Sequence, residues 1–182
     1  MRFPDKKYKV LYADPPWRFS NRRTGGSLKS GSATHYELLS VQDICNLPVQ
    51  DIADDDCVLF MWWVAAMPEE ALRVVKAWGF NLKTMTGFNW VKRTQRGKLD
   101  FGMGFWTRAG SEMCLIATKG KPRKASSSVR SVLISKKRQH SQKPDEVRER
   151  IEELCGNVPR IELFARRKVD EWDSWGLELE DE

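Results

Sequence analysis

Cysteine is scarce in this 182-residue chain, and what there is lies scattered: Cys45, Cys57, Cys114 and Cys155 form no CxxC pair and no metal-ligand spacing. That distribution argues against a zinc site or a disulfide framework, and reads instead as small core residues. No apolar run approaches the roughly 20 residues of a membrane span, and the opening MRFPDKKYKV lacks the apolar stretch of a signal peptide. The expectation is therefore a cytoplasmic protein with no membrane partner. No internal repeat is present, and the glycine-rich GxGxxG turn of a typical dinucleotide fold is missing; the GMG at 102–104 sits in a basic loop and reads as a flexible target-binding segment.

What is present is enough for one core. With 41% hydrophobic and 10% aromatic residues, the composition fits a single domain over 1–182. The net charge of +6 conceals a strong asymmetry. Between Lys83 and Lys143 stand fifteen Lys and Arg against two acids, Asp100 and Glu112, whereas the rest of the chain holds sixteen against twenty-three. A basic stretch of this kind is either a solvated surface or a polyanion footprint. Interleaved Phe88, Trp90, Phe101, Phe105 and Trp106 favour the second, because bases stack on rings and phosphates pair with cations.

Six segments read as strands: 9–13, 57–63, 83–91, 111–119, 131–135 and 160–165. Several are continuous apolar runs, as expected where a sheet is covered on both faces. Three helices are expected between them. Ser40 with Asp43 resembles a capping box ahead of Ile44 and Leu47. Pro68, Glu69 and Glu70 open a helix that presents Leu72 and Val75 and stops at Gly79. The third begins near Pro144 and Asp145, carries Val147, Ile151 and Leu154 on one stripe, and ends at Gly156. Alternating strands and helices predict an α/β fold with a mainly parallel sheet. Three Gly-, Ser- and cation-rich stretches, 21–36, 93–106 and 119–130, read as surface loops at strand ends, where such folds place ligands.

The first strand runs into Asp14-Pro15-Pro16-Trp17. Asp before Pro is a common turn former, and two prolines are enough to stop an edge strand. A second reading starts from the chemistry of an aromatic amine, whose lone pair is delocalised into the ring. A carboxylate accepting one N–H and a fixed carbonyl accepting the other would draw the nitrogen toward tetrahedral geometry and expose that pair. Asp14 supplies the carboxylate. Pro15 supplies the carbonyl, restricted in direction because Pro16 holds it extended. Trp17 offers a ring for the base to stack on.

This tetrad resembles the (D/N/S)-P-P-(Y/F/W) motif of amino methyltransferases. Together with HYELLSVQDICNLPV (35–49), VLFMWWVA (58–65), WGFNLKTMTGFNWVK (78–92), GFWTRAGSEMCLIATKG (104–120), HSQKPDE (140–146) and RIELFARR (160–167), it is similar to the adenine-N6 methyltransferase family named for the catalytic subunit of the eukaryotic messenger RNA enzyme. The resemblance covers about residues 9–179. It implies a Rossmann-like, doubly wound, mainly parallel sheet of the S-adenosylmethionine-dependent methyltransferase type, in the circularly permuted beta-class motif order. It also implies S-adenosylmethionine as cofactor and a site-specific adenine-N6 methyltransferase activity on nucleic acid.

By the same resemblance, Asp14 and Pro15 hold the adenine amino group, and Pro16 and Trp17 complete the catalytic tetrad. Tyr36 and Glu112 line the target-base pocket, and ELFAR takes the place of the glycine-rich turn. Lys143 neutralises the methionine carboxylate, Phe164 and Arg166 lie beside the cofactor, and Glu178 takes the ribose hydroxyls. Trp106, Arg108, Lys92, Arg93 and Arg96 are the expected substrate contacts of the basic segment. The chain departs from the family in three places: Leu177 where Asn is common, Lys168 and Val169 where the eukaryotic enzyme has His and Asn, and no acidic loop in the eight residues before Lys9. DNA is the expected partner, as in the phage and bacterial branch of bare catalytic domains, with a second copy of the chain a candidate to help grip it. The alternatives are the same chemistry on RNA or single strands, and a catalytically inactive nucleic-acid-binding subunit.

Overall fold

The computed structural model describes residues 2–18, 39–102, 104, 106–138, 142–176 and 179. Seven strands, β1 (Tyr8–Ala13), β2 (Ala53–Trp63), β3 (Asn81–Arg93), β4 (Ser111–Lys119), β5 (Val132–Lys136), β6 (Arg160–Leu163) and β7 (Asp173–Trp175), form one sheet in the order β5-β3-β4-β2-β1-β6-β7. Among the described residues three α-helices accompany it, α1 (Val41–Asn46), α2 (Pro68–Ala77) and α3 (Glu146–Cys155), with one 3-10 turn at Val49–Asp51. β1 pairs in parallel with both β2 and β6, and the parallel pairing extends to β3–β5 and β6–β7. β4 alone runs against its neighbours. The reason is local: β3 and β4 are joined without a helix, and a chain that turns back with no crossover must pair antiparallel.

The alternation of side chains along β1 and β2 sorts the core into two layers. Leu11, Ala13, Leu59 and Met61 face the layer that packs on α1 and α2, with Ile44, Val74, Val75 and Trp78. Val10, Tyr12, Phe60 and Trp62 face the other, with Val147 and Ile151 of α3 and Phe88 and Trp90 of β3. Both faces of the central strands are thus covered, which is why their sequences are almost uninterruptedly apolar.

The helix signals translate directly. Ser40 Oγ accepts from Asp43 N at 3.1 Å while Asp43 accepts from Ser40 N at 3.1 Å, a complete capping box. Pro68 starts α2, and Gly79 follows it at φ +80. One expectation is corrected here: α2 buries Ala71, Val74 and Val75, whereas Leu72 is 36% exposed. Val75 lies on the buried stripe as expected, and Ala71, one turn back from it, takes the place expected of Leu72. β6 stops at Leu163 and not at Ala165, since Phe164 adopts φ +61 and turns the chain out of the strand. β7 is additional to the six expected strands; three residues within the acidic DEWDSWG carry too little apolar pattern to register. Among the described residues no helix is long and apolar enough to cross a membrane.

Candidate active site

β1 carries the chain to the carboxyl edge of the sheet and hands it to the two prolines. Trp17 N–H donates back to the Pro15 carbonyl at 2.9 Å, closing a tight turn about Pro16. The Trp17 indole N–H donates to the Trp62 carbonyl at 3.1 Å, and Leu39 N–H donates to the Pro16 carbonyl at 3.2 Å. Each residue of the tetrad is therefore tied down. Trp17 is only 9% exposed, so it anchors the turn in the core and shows the cleft little more than an edge. The Pro15 oxygen keeps a second lone pair beside the bond from Trp17.

Asp14 opens onto a cleft of about 790 Å³, walled by Trp17, Trp62 and Trp63 on one side and by the 104–113 segment on the other. Across its floor runs a row of alternating charges. Lys143 Nζ donates to Asp14 Oδ2 at 2.8 Å and lies 3.1 Å from Glu112 Oε2; the other oxygen of Glu112 is paired with Lys92. Both cations also lie over indole rings, Lys143 5.3 Å from the ring centre of Trp62 and Lys92 5.0 Å from that of Trp90. Trp62 is itself braced by its N–H bond to Tyr12 Oη at 2.7 Å.

Burial and charge oppose one another in this row, and charge wins. Desolvation works against ionised Glu112, yet Lys143 and Lys92 together hold its carboxyl below the ordinary glutamate value. Desolvation likewise works against the ammonium of Lys143, whose side chain is 11% exposed, but Asp14 and Glu112 raise it above the ordinary lysine value. Glu112 and Lys143 thus favour one another's charged forms across the row.

Sequence reasoning missed a second network behind this floor. Arg148 of α3 grips Glu162 of β6 through two bonds of 2.9 Å, in a buried fork beneath Tyr12. Burial raises the Glu162 carboxyl despite that partner. Asp145, just before α3, accepts from Arg138 at 2.5 Å, from Arg148 at 2.8 Å and from Arg167. The acids and arginines of DEVRER and ELFARR look in the sequence like ordinary helix and surface charges because the pairs that join the two segments, Arg148 with Glu162 and Arg167 with Asp145, lie 14 and 22 residues apart. Trp62 and Trp63 read there only as strand core; two successive indoles at a strand's carboxyl end are the available signal, since one must face each layer.

Phe164 is half-buried at the end of β6, edge-on to Trp175 at 5.5 Å, and Trp175 in turn meets Phe3 at 4.5 Å. A Cβ at Gly176 would collide with the Ala165 carbonyl, so the end of β7 is pressed against this turn. Arg166 is exposed just beyond. Lys92 lies inside the cleft, whereas Arg93, the last residue of β3, and Arg96, on the turn after it, are exposed. Trp106 and Arg108 stand on the cleft's outer rim. Tyr36, Leu177 and Glu178 lie outside the described residues, as do the whole of the 21–36 loop and Phe105. Among the described residues no group of three His, Cys, Asp or Glu is placed to hold a metal ion.

An acid on a rigid turn thus ends an interior strand of a mainly parallel sheet and opens on an indole-walled cleft. The MT-A70 family model matches residues 8–178. The chain belongs to the MT-A70 family. It is 34% identical to the type II methyltransferase M.MunI of Mycoplasma sp, over 99% of this chain and 81% of that protein. It is 31% identical to the human N(6)-adenosine-methyltransferase catalytic subunit METTL3, over 88% of this chain, and 28% identical to the Drosophila melanogaster MT-A70-like protein. The chain spans about a quarter of the length of METTL3, 26%.

MT-A70 methyltransferases use S-adenosylmethionine as methyl donor. The structure fits that group. Connections leave β1 by way of α1 on one face and enter β6 by way of α3 on the other, so the carboxyl ends of β1 and β6 flank a topological switch point, where such sheets bind nucleotides. Phe164, with a left-handed backbone at φ +61, turns the chain out of β6 beside that point.

Proposed function

We propose that this MT-A70 protein methylates the N6 amino group of adenine in DNA. The observation that carries the reading is Asp14: a carboxylate fixed by Lys143, beside a proline carbonyl that a turn holds in place, at the mouth of an aromatic cleft. Asp14 accepts one amino N–H through the lone pairs that Lys143 leaves open, and the Pro15 oxygen accepts the other. The nitrogen, drawn out of conjugation, presents its lone pair in line with the donor. When bound, S-adenosylmethionine supplies an electrophilic methyl carbon on a sulfonium. That carbon would be given up to the amine with the sulfur leaving as a neutral thioether, and Asp14 or water would take the proton that the methylated, anilinium-like nitrogen sheds. Glu112 and Lys92 hold Lys143 in register and flank the base. Lys143, Phe164 and Arg166, with Leu177 and Glu178, form the cofactor side, Lys143 being the cation for the methionine carboxylate. Tyr36, Trp106, Arg108, Arg93 and Arg96 form the nucleic-acid side.

DNA is favoured by the near full-length likeness to a type II methyltransferase. The proteins named as adenosine methyltransferases share only a portion of their length with this chain, and they favour RNA as the second reading. The test is incubation with labelled cofactor and matched single- and double-stranded DNA and RNA, followed by digestion to nucleosides. Label in N6-methyldeoxyadenosine is the expected result. Label in cytosine, in protein or only in RNA overturns the DNA reading.

A further inference from the structure

A tryptophan with 99% of its surface in water is a liability unless something covers it, and Trp106 is such a residue. It is not stranded on a loose end. After β3 the backbone forms a narrow arm: Arg93 bridges Leu99, and Gly102 and Ala109 exchange backbone bonds of 2.8 and 3.2 Å. Glycine makes that closeness possible, because a Cβ at Gly102 would strike the Ala109 carbonyl and one at Gly104 the Thr107 carbonyl. The segment expected to be simply flexible is, at its described residues, knitted so that Trp106 is held out on the rim of the cleft that contains Asp14, Glu112 and Lys143.

The surroundings indicate what would cover the indole. Phe101, 75% exposed, lies under the guanidinium of Arg108 at 4.9 Å. Arg93, Arg96 and Lys98 are exposed along the same arm, and its single acid, Asp100, is neutralised by Lys137 at 2.8 Å. Flat rings between cations match stacked bases between phosphates. The cleft already has an indole wall of its own, in which Trp63 is the half-buried ring while Trp17 and Trp62 are almost wholly buried. Trp106 is therefore one ring more than the target base requires.

We propose that Trp106 occupies the base stack of duplex DNA at the place the target adenine vacates when it swings into the cleft. This rests on the reading of the protein as an adenine-N6 methyltransferase of DNA and narrows its substrate to the duplex. An adenine inside a duplex cannot reach Asp14 without leaving the stack, and the gap it leaves costs stacking with both neighbours. An indole entering that gap recovers stacking of the same magnitude. Arg108, Arg93 and Arg96 hold the flanking phosphates while it does so.

The experiment compares wild type, Trp106→Ala and Trp106→Phe on the sequence that wild type marks in unmethylated genomic DNA. That sequence is supplied as a matched duplex, as a single strand, and as a duplex with the target adenine opposite an abasic site. Trp106→Ala is expected to lose about tenfold to a hundredfold in rate on the matched duplex, with Trp106→Phe between. The single strand should change by less than about threefold, because it has no duplex stack to refill, whereas the abasic duplex, whose adenine still leaves a gap between its neighbours, should lose nearly as much as the matched duplex. With 2-aminopurine at the target position, wild type should brighten the duplex on binding. Trp106→Ala should bind, by anisotropy, without that rise. A loss of equal size on all three substrates, or no loss on the matched duplex, overturns the proposal. Methylation of single strands but of no duplex overturns it while leaving adenine methylation standing. A wild-type protein that methylates no DNA at all defeats the underlying reading as well.

Discussion

The floor of the cleft and the arm above it are built on opposite principles. On the floor, Asp14, Lys143, Glu112 and Lys92 are mostly buried, each charge answered by the next and braced on Trp62 or Trp90. On the arm, Arg93, Arg96, Lys98, Phe101 and Trp106 face water, and the charge is almost all of one sign. A buried ion must be fixed in place because an unmatched one is so costly. An exposed cation in solvent is free to meet a phosphate wherever the strand runs. The difference separates a part that defines reaction geometry from a part that supplies affinity, and substitutions in the two should fail in different assays.

The largest effect is expected at Asp14. Asp14→Ala removes the acceptor on which the amine depends and should lower methyl transfer by about a thousandfold or more. DNA retention should stay within about threefold, since phosphate pairing dominates affinity. Filter binding beside single-turnover methylation checks this, and a variant with wild-type turnover would remove Asp14 from the chemistry. Next comes the fork behind the floor. Arg148→Met leaves Glu162 buried and unanswered, at about 3–5 kcal/mol, seen as a large fall in melting temperature. The double variant Arg148→Met with Glu162→Leu should recover most of the loss. If the double is as unstable as the single, the fork acts through packing and not through charge.

The ion row itself predicts a pH dependence. The Glu112 carboxyl lies below its ordinary 4.5 in the folded chain, so its stabilisation is present above that value and disappears as pH falls through the lower folded one. Lys143 is raised above 10.5, so its share is present below that value and is lost as pH climbs through the higher folded one. The stability difference between wild type and Glu112→Gln should therefore be level through neutral pH and shrink on acidification below 4.5, measured by denaturant unfolding. A difference that grows toward acid contradicts the assigned pairing. The smallest effects belong to the arm. Replacing Arg93 and Arg96 with Glu should weaken binding to all sequences alike and flatten its salt slope by about one unit for each phosphate no longer neutralised. An unchanged slope would place the phosphate track on another surface.

Much of this is open to reading from residues alone, and the limits follow from distance along the chain. Strand β4 is found at 111–119, as the apolar run predicts, and the Ser40 capping box closes as its spacing requires. Both depend on neighbours within a few positions. β7 escapes such a reading because three residues between acids carry no period, and it exists only through pairing with β6. Lys92 reads as one more cation of a basic stretch, yet its partner Glu112 is twenty residues away and opposes it only because β3 and β4 pair, with Trp90 across from Glu112. The Asp14–Lys143 ion pair spans 129 residues, beyond the reach of any pattern of spacing.

The sequence by itself determined the alternation of strands and helices, the rigid acid-proline turn at the end of β1 and the basic character of the middle of the chain. Each of these is a property of residues near one another, set by periodicity, backbone restriction and local charge. Only the tertiary structure decided which cations are answered, that Trp17 is an anchor while Trp106 stands bare, and that Arg148 closes on Glu162. Such matters depend on which strand ends the fold brings together, and on the free energy of burying a charge that only another charge from a distant part of the chain can offset.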